Sequence, residues 1–319
     1  MNLSVSCSPH IRSNDSTRRI MRDVCLALLP ALVFGVAHFG IRALLVTAVS
    51  VAAALAAELL CNRFIFKGDR TLDGSAMVTG LLLAMTLPAT VPYWMAALGS
   101  VFAIVVVKAM CGGLGQNVFN PALAARALLV LLFPAAMVRY PGVKGFFGGM
   151  DAVTAATPLH HMVMPGLPDE SLLDVFLGNM PGCIGEVSAL ALLLGGAYLV
   201  YRKVISLRIP TAYLGTVAVL TLVFSKTENP LVWMLYSLLS GGVMLGAIFM
   251  ATDYASSPVT PKGQILYGIG CGALTVLFRC FGLFPEGVTY AILIMNAAAW
   301  LVDRYTAPVV FGTKKGGAA

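Results

Sequence analysis

Apolar residues fill most of this chain in long runs that short polar connections separate. A hydrocarbon core about 30 Å thick is crossed by an α-helix of about 20 predominantly apolar residues. Runs of that kind predict ten membrane spans, near 22–40, 42–60, 76–91, 93–111, 120–139, 183–201, 210–225, 230–250, 264–281 and 286–303. The pattern therefore predicts an all-α polytopic membrane protein with about ten transmembrane helices.

The lysines and arginines orient these predicted spans, because cytoplasmic loops accumulate them. With the N-terminus in the cytoplasm, fifteen fall on inner segments and five on outer ones. The bias predicts that both termini are cytoplasmic and that the long connection after the fifth span faces outward. The predicted organisation is a cytoplasmic segment (1–21), a first five-helix half (22–139), an outward-facing loop (140–182), a second five-helix half (183–303) and a cytoplasmic tail (304–319).

A weak internal repeat relates the two halves. GLLLAMTLPATVP at 80–92 and GAIFMATDYASSP at 246–258 match at an offset of 166, which pairs Gly80 with Gly246 and Thr86 with Thr252. Five predicted spans separate the copies, so they run in opposite directions through the membrane. Inverted repeats of this kind build many transporters, in which interrupted helices frame the functional site. The sequence thus predicts two inverted five-helix repeats.

Several polar residues lie in or beside the apolar runs. Asp253 lies within the second repeat copy and either lines an ion path or belongs to a turn at the membrane face. Asn120 before Pro121 is either a helix cap or a ligand. Asn296 stands alone in an apolar run and is expected to bond across helices. Glu58 and Glu186 are acids near span ends, where such residues are functional candidates.

Composition narrows the class of protein further. The chain is 59% hydrophobic and 11% charged, against about 25% charged in soluble domains, which excludes a water-soluble enzyme. The net charge of +7 comes from scattered clusters and does not favour nucleic-acid binding. Seven cysteines without a C-x-x-C pair predict neither a zinc site nor a disulfide framework. No signal peptide is expected at the N-terminus.

The outward-facing loop contains the segment DAVTAATPL at 151–159. Pro158 biases Thr157 away from helical geometry, and its small neighbours leave the hydroxyl accessible to another protein. From these residues alone, Thr157 is either a modification site or part of a Ser/Thr turn.

Motifs along almost the whole chain resemble one membrane-protein family. The chain resembles the RnfD component of the Rnf complex and, more distantly, NqrB, the related component of the Na+-translocating NADH:quinone reductase. The residues that carry the resemblance are SPHI at 8–11, FNPA at 119–122, DAVTAATPL at 151–159, MATDY with SPVT at 250–260, and PEG with YAILIMN at 285–296.

The resemblance implies a specific cofactor chemistry. In these families a flavin transferase attaches FMN through a phosphoester to a threonine on the outer face, and Thr157 matches that acceptor. Asp151 and Thr154 match supporting positions of the same motif. The resemblance also implies a second, noncovalent flavin, riboflavin, whose ligands it does not identify.

The implied activity is electron transfer between ferredoxin and NAD+, coupled to Na+ or H+ translocation across the cell (inner) membrane. The chain lacks a Rossmann fingerprint and a ferredoxin-type cysteine run, so the resemblance assigns iron–sulfur, NADH-binding and second flavinylated subunits as partners, with membrane lipid around them. No catalytic residue is assigned. The alternative from another class is a secondary transporter or solute channel whose loop is unmodified; a structural scaffold is a further one.

Overall fold

The computed structural model describes residues 15–66, 73–143, 150–154, 168, 171–186, 188–281 and 287–308. Most of these residues are helical. Their extended structure is confined to one two-stranded sheet and a bridge between Pro88 and Cys183. The protein is a helical membrane protein.

The first half is built from six helices and one π-helical stretch. They are α1 (Thr17–Phe39), α2 (Ile41–Phe64), α3 (Ser75–Met85), α4 (Tyr93–Phe102), π1 (Ala103–Ala109), α5 (Pro121–Leu132) and α6 (Pro134–Met137). Ser16 caps α1, since its side chain accepts a hydrogen bond from the N–H of Arg19 at 3.3 Å. The predicted fifth span continues to 139, but α5 ends at Leu132. Pro134 has no N–H to continue the hydrogen-bond ladder, so a separate short helix begins there.

The connection between the halves contains two short paired strands in addition to the predicted helices. Strands β1 (Pro141–Val143) and β2 (Met150–Thr154) pair antiparallel, with Pro141 opposite Thr154 and Val143 opposite Met150. The β-branched residues Val153 and Thr154 favour an extended backbone. The short helix α7 (Leu172–Leu177) follows.

The second half is also mostly helical among its described residues. Its elements are α8 (Ala189–Tyr201), α9 (Arg208–Val223), α10 (Pro230–Leu239), α11 (Val243–Leu245), π2 (Gly246–Met250), α12 (Pro261–Phe281) and α13 (Val288–Thr306). Ser188 caps α8 through the N–H of Ala191 at 3.3 Å, as Ser16 caps α1.

Each predicted span overlaps a helix of the structure. Among the described residues α1, α2 and α12 are each long and apolar enough to cross a membrane alone. Helix α10 and the stretch Val243–Met250 pass the same test together, although they bend by 61°. Large apolar side chains such as Phe64, Leu131 and Phe281 are exposed on the helix surfaces, where lipid would cover them.

Small residues bring the helices of each half close together. Ser50 of α2 donates to the carbonyl of Gly80 at 2.7 Å and bonds Ser100 of α4 at 2.8 Å. A Cβ on Gly80 would lie 2.9 Å from the Cα of Val51. In the second half a Cβ on Gly272 of α12 would lie 2.9 Å from the carbonyl oxygen of Tyr213. Such contacts are typical of helix packing in membranes, where apolar burial gives little driving force.

The two segments of the predicted repeat share local geometry. Helices α3 and α11 both begin after a left-handed glycine, Gly74 (φ 85°) and Gly242 (φ 67°). Thr86, directly after α3, donates to the carbonyl of Leu83 at 2.7 Å, and Thr252, shortly after π2, donates to that of Ile248 at 2.7 Å. The helix starts are offset by 168 residues rather than the 166 of the sequence match.

Two charged side chains, Arg279 and Glu186, lie at the break between α10 and α11 and interact with the helix ends there. Arg279 donates to the carbonyls of Ser237 at 2.6 Å, Ser240 at 2.9 Å and Gly241 at 2.9 Å. A cation at the C-terminus of a helix is favoured by the helix dipole. The carboxyl carbon of Glu186 lies 3.7 Å from the position that a Cβ on Gly242 would take. Glu186 thus lies at the start of the second half-helix, where the dipole favours an anion.

Candidate functional site

A cavity of about 90 Å³, called here the central cavity, lies between the two halves. Five segments form its wall: the starts of α1 and α3, the connection from π1 to α5, the end of α8, and the end of π2 with the residues after it. Its polar lining residues are Ser75, Thr79, Lys108, Asn117, Asn120, Thr252, Asp253 and Tyr254. Of the polar residues that the sequence analysis singles out beside apolar runs, Asn120 and Asp253 line this cavity.

Asp253 is the carboxylate of this cavity. Burial raises the pKa of its side chain above the ordinary value of 3.8, and hydrogen bonds from Ser256, from the backbone of Ala255 and from Asn117 oppose that rise. The Ser256 hydroxyl donates to Oδ2 of Asp253 at 3.0 Å. Asp253 is thus a group that holds its proton more tightly than an exposed aspartate, in a cavity where a cation could enter.

Asn120 joins α5 to the end of π2. Its Oδ1 accepts from the N–H groups of Ala122 and Leu123, and Pro121 takes the first helical position, which confirms the predicted cap. Its Nδ2 donates to the carbonyl of Met250 at 3.1 Å. The Asn120 side chain therefore caps α5 and also bonds the last residue of π2, and both elements line the central cavity.

Asn296 connects three elements behind the cavity, which confirms the predicted cross-helix role of its amide. In the amide orientation that satisfies both ends, Nδ2 donates to the Tyr267 hydroxyl at 2.5 Å and to the carbonyls of Ser256 and Ile292 at 3.2 Å, and Oδ1 accepts from the N–H of Asn120 at 3.0 Å. Asn296 is 2% exposed. Asn296 thus links Asn120 to Ser256, whose hydroxyl bonds Asp253.

A second, smaller cavity of about 50 Å³, called here the peripheral cavity, lies next to the central one. Glu58, Asn62 and Asp73 are among its lining residues. Lys108 separates it from the central cavity. The ammonium of Lys108 donates to Oε1 of Glu58 and to Oγ of Ser75, both at 2.5 Å.

Sequence reasoning did not single out Lys108, Ser75 or Tyr267 as site residues. The signal for Lys108 was present, because a lysine inside the apolar run 101–110 is expensive in a membrane unless it is paired. The partners of Lys108 lie 50 and 33 residues away, and no local spacing predicts contacts of that separation.

The predicted flavin acceptor Thr157 lies outside the described residues. Asp151 and Thr154 are in strand β2, where the backbone of Thr154 pairs with Pro141. The structure brings Asp253, Asn117 and Asn120 together at the central cavity.

Metal ligation and disulfides find no support in the described part of the chain. No group of three or more His, Cys, Asp or Glu side chains there could hold a metal ion. None of the six cysteines between residues 15 and 308 forms a disulfide in the structure.

The chain is similar to a known protein family and to several named relatives. Residues 4–312 match the model of the NQR2, RnfD, RnfE family. The chain is 49% identical to the RnfD component of the Na+-translocating ferredoxin:NAD+ oxidoreductase complex of Acetobacterium woodii, over 99% of this chain and 97% of the relative. It is 44% identical to the same component of the proton-translocating ferredoxin:NAD+ oxidoreductase complex of Clostridium ljungdahlii, over 98% and 97%. The corresponding component of an ion-translocating oxidoreductase complex of Stutzerimonas stutzeri is 38% identical, over 93% and 92%.

Proposed function

The chain belongs to the NQR2, RnfD, RnfE family, and on that premise we propose that it is a membrane flavoprotein subunit of an ion-translocating ferredoxin:NAD+ oxidoreductase. The observation that carries the proposal is the near full-length similarity to the RnfD components of such complexes. The chain is one part of that enzyme, and the other subunits of the complex are its partners. Those that bind iron–sulfur clusters and NADH supply the chemistry that this chain has no motif for.

We propose further that FMN is attached to Thr157 by a phosphoester, which a flavin transferase forms on the outer face. The segment DAVTAATPL supports this assignment, because it presents a hydroxyl among small residues and before a proline. FMN supplies the electron chemistry, while the protein supplies its position and surroundings. Asp151 and Thr154 belong to the same recognition motif. A second, noncovalent riboflavin belongs to the proposal without assigned ligands.

The proposed topology has ten spans in two inverted repeats, cytoplasmic termini, and the flavin loop on the periplasmic or extracellular side. The distribution of lysine and arginine supports it. The five segments that meet at the central cavity also border connections predicted to be cytoplasmic. The matched serine caps of α1 and α8, and the matched glycines before α3 and α11, support a common plan for the two halves.

Asp253 is the proposed ion-path residue, because it is a carboxylate with a raised pKa in a cavity at the proposed cytoplasmic end. One relative is named as Na+-translocating and another as proton-translocating, so either ion could use such a group.

The flavin assignment is tested by denaturing gel electrophoresis of the natively produced chain. We expect in-gel flavin fluorescence from the wild type and none from Thr157→Ala. Thr227→Ala is the matched control, since it makes the same change in another connection predicted to face outward. Its band should keep full fluorescence. Intact mass should show the wild type heavier by one FMN less water.

A wild-type chain without flavin, produced in cells that contain the transferase, would contradict the assignment. That result would favour the transporter function, for which the interrupted helices and the central cavity already provide the features typical of the class.

A further inference from the structure

The central and peripheral cavities share a wall at Lys108. Among the described lining residues, Lys108 and Leu114 border both cavities. Lys108 is 6% exposed, and it lies in the π-helical stretch π1. A buried ammonium therefore stands between two spaces that polar side chains line.

Four side chains form this partition. The Lys108 ammonium donates to Oε1 of Glu58 on the peripheral side and to Oγ of Ser75 on the central side, each at 2.5 Å. The hydroxyl of Ser75 donates in turn to Oδ1 of Asp73, which lines the peripheral cavity. The second oxygen of Glu58, Oε2, is buried and has no hydrogen-bond partner among the residues that the structure describes.

The charges of the partition oppose the passage of a cation. A fixed ammonium repels a second cation strongly where water is scarce. The two carboxylates, Glu58 and Asp73, carry one more unit of charge than the single ammonium of Lys108. The peripheral side therefore attracts a cation, and the ammonium blocks its way to the central cavity. Because the Lys108 ammonium is a point charge on a flexible four-carbon stem, it can move once its strongest bond is lost.

We propose that Lys108 is a gate between the two cavities, held closed by Glu58 and Ser75. Loss of the Glu58 charge, through a bound Na+ or a proton from the peripheral cavity, releases the ammonium toward the central cavity, where Asp253 is the lining carboxylate. This inference rests on the proposed function, because a gate has a purpose only in an ion-translocating complex.

The test uses the whole complex in inverted membrane vesicles. NAD+ reduction by reduced ferredoxin is measured together with ion uptake, with radioactive Na+ in one arm and a pH-sensitive dye in the other. For Lys108→Met we expect electron transfer to persist while ions moved per electron fall about tenfold or more, the factor that 1.4 kcal/mol of barrier represents. Lys108→Arg keeps the charge and should stay near the wild type.

Lys262→Met is the matched control. It removes a lysine from the exposed start of α12, outside the described lining of both cavities, and its ratio of ions to electrons should equal that of the wild type. Should Lys108→Met fail to assemble, the double variant Glu58→Gln, Lys108→Met removes both charges of the ion pair, so that neither partner is left as a buried charge without the other. It should assemble and show the same loss of coupling.

A wild-type ratio in Lys108→Met or in the double variant overturns the gate. A parallel fall of electron transfer and ion uptake also overturns it, because that is the result expected of a purely structural ion pair. Wild-type vesicles that reduce NAD+ without moving any ion would overturn the proposed ion translocation and the gate together. The flavin band of Thr157 should be the same in every variant, so loss of flavin is a separate result.

Discussion

Replacement of Asn296 by alanine should destabilise the protein strongly, because the asparagine amide makes several buried hydrogen bonds. The amide bonds the Tyr267 hydroxyl, the carbonyls of Ser256 and Ile292, and the N–H of Asn120, all at 2.5–3.2 Å. Alanine leaves the Asn120 N–H as a buried donor without its acceptor, and it removes the other contacts as well.

The expected magnitude follows from these contacts. A buried polar group left unpaired costs about 1–3 kcal/mol, whereas an average polar contact inside a membrane protein contributes about 0.6 kcal/mol. One orphaned donor and three weaker contacts together predict a loss of about 3–5 kcal/mol in the free energy of unfolding.

The assay is unfolding of the purified chain in mixed detergent micelles, followed by far-UV circular dichroism. The matched control is Asn179→Ala, at a half-buried position whose amide reaches Oδ1 of Asp174 at 3.4 Å. That variant should lose less than about 0.5 kcal/mol. A loss below about 1 kcal/mol for Asn296→Ala would refute the reasoning, because the orphaned Asn120 donor alone should exceed it.

Two further predictions concern packing and titration. Gly80→Ala places a Cβ 2.9 Å from the Cα of Val51 and should lower the unfolding free energy by about 1–3 kcal/mol; Gly215→Ala, with nothing within 4 Å of its Cβ, should raise it by up to about 1 kcal/mol. Because burial raises the pKa of Asp253 in the folded state, stability should fall as pH rises from 3.8 through that higher pKa. Asp253→Asn should flatten this part of the pH–stability curve, and an unchanged curve would show that Asp253 does not cause the dependence.

Local chemistry made much of the helix pattern predictable from the sequence. The Asn120–Pro121 pair marked the start of α5 because cap and first turn are set by adjacent residues. The end of α5 was placed too late, since hydropathy continues through Phe133 while the hydrogen-bond ladder stops before Pro134. The hairpin of β1 and β2 was missed because three- and five-residue strands leave almost no periodic signal.

The candidate site was predictable only in part. Asp253 was identified as an acid beside an apolar run and Asn120 as the residue before Pro121 at a helix start, and both line one cavity. The ion pair of Lys108 with Glu58 joins residues 50 positions apart. Asn296 reaches Asn120 from the last helix of the structure. Such pairings depend on which helix faces pack together, and a single sequence does not contain that information.

The guanidinium of Arg279 restricts motion at the break between α10 and α11. It occupies three carbonyls at the end of α10 and the break that follows, so the bend of 61° keeps hydrogen-bond partners in a layer without water. Straightening the bend would break those hydrogen bonds. The break is therefore a rigid bend and not a hinge. Any rocking of one half against the other would therefore have to occur elsewhere in the structure.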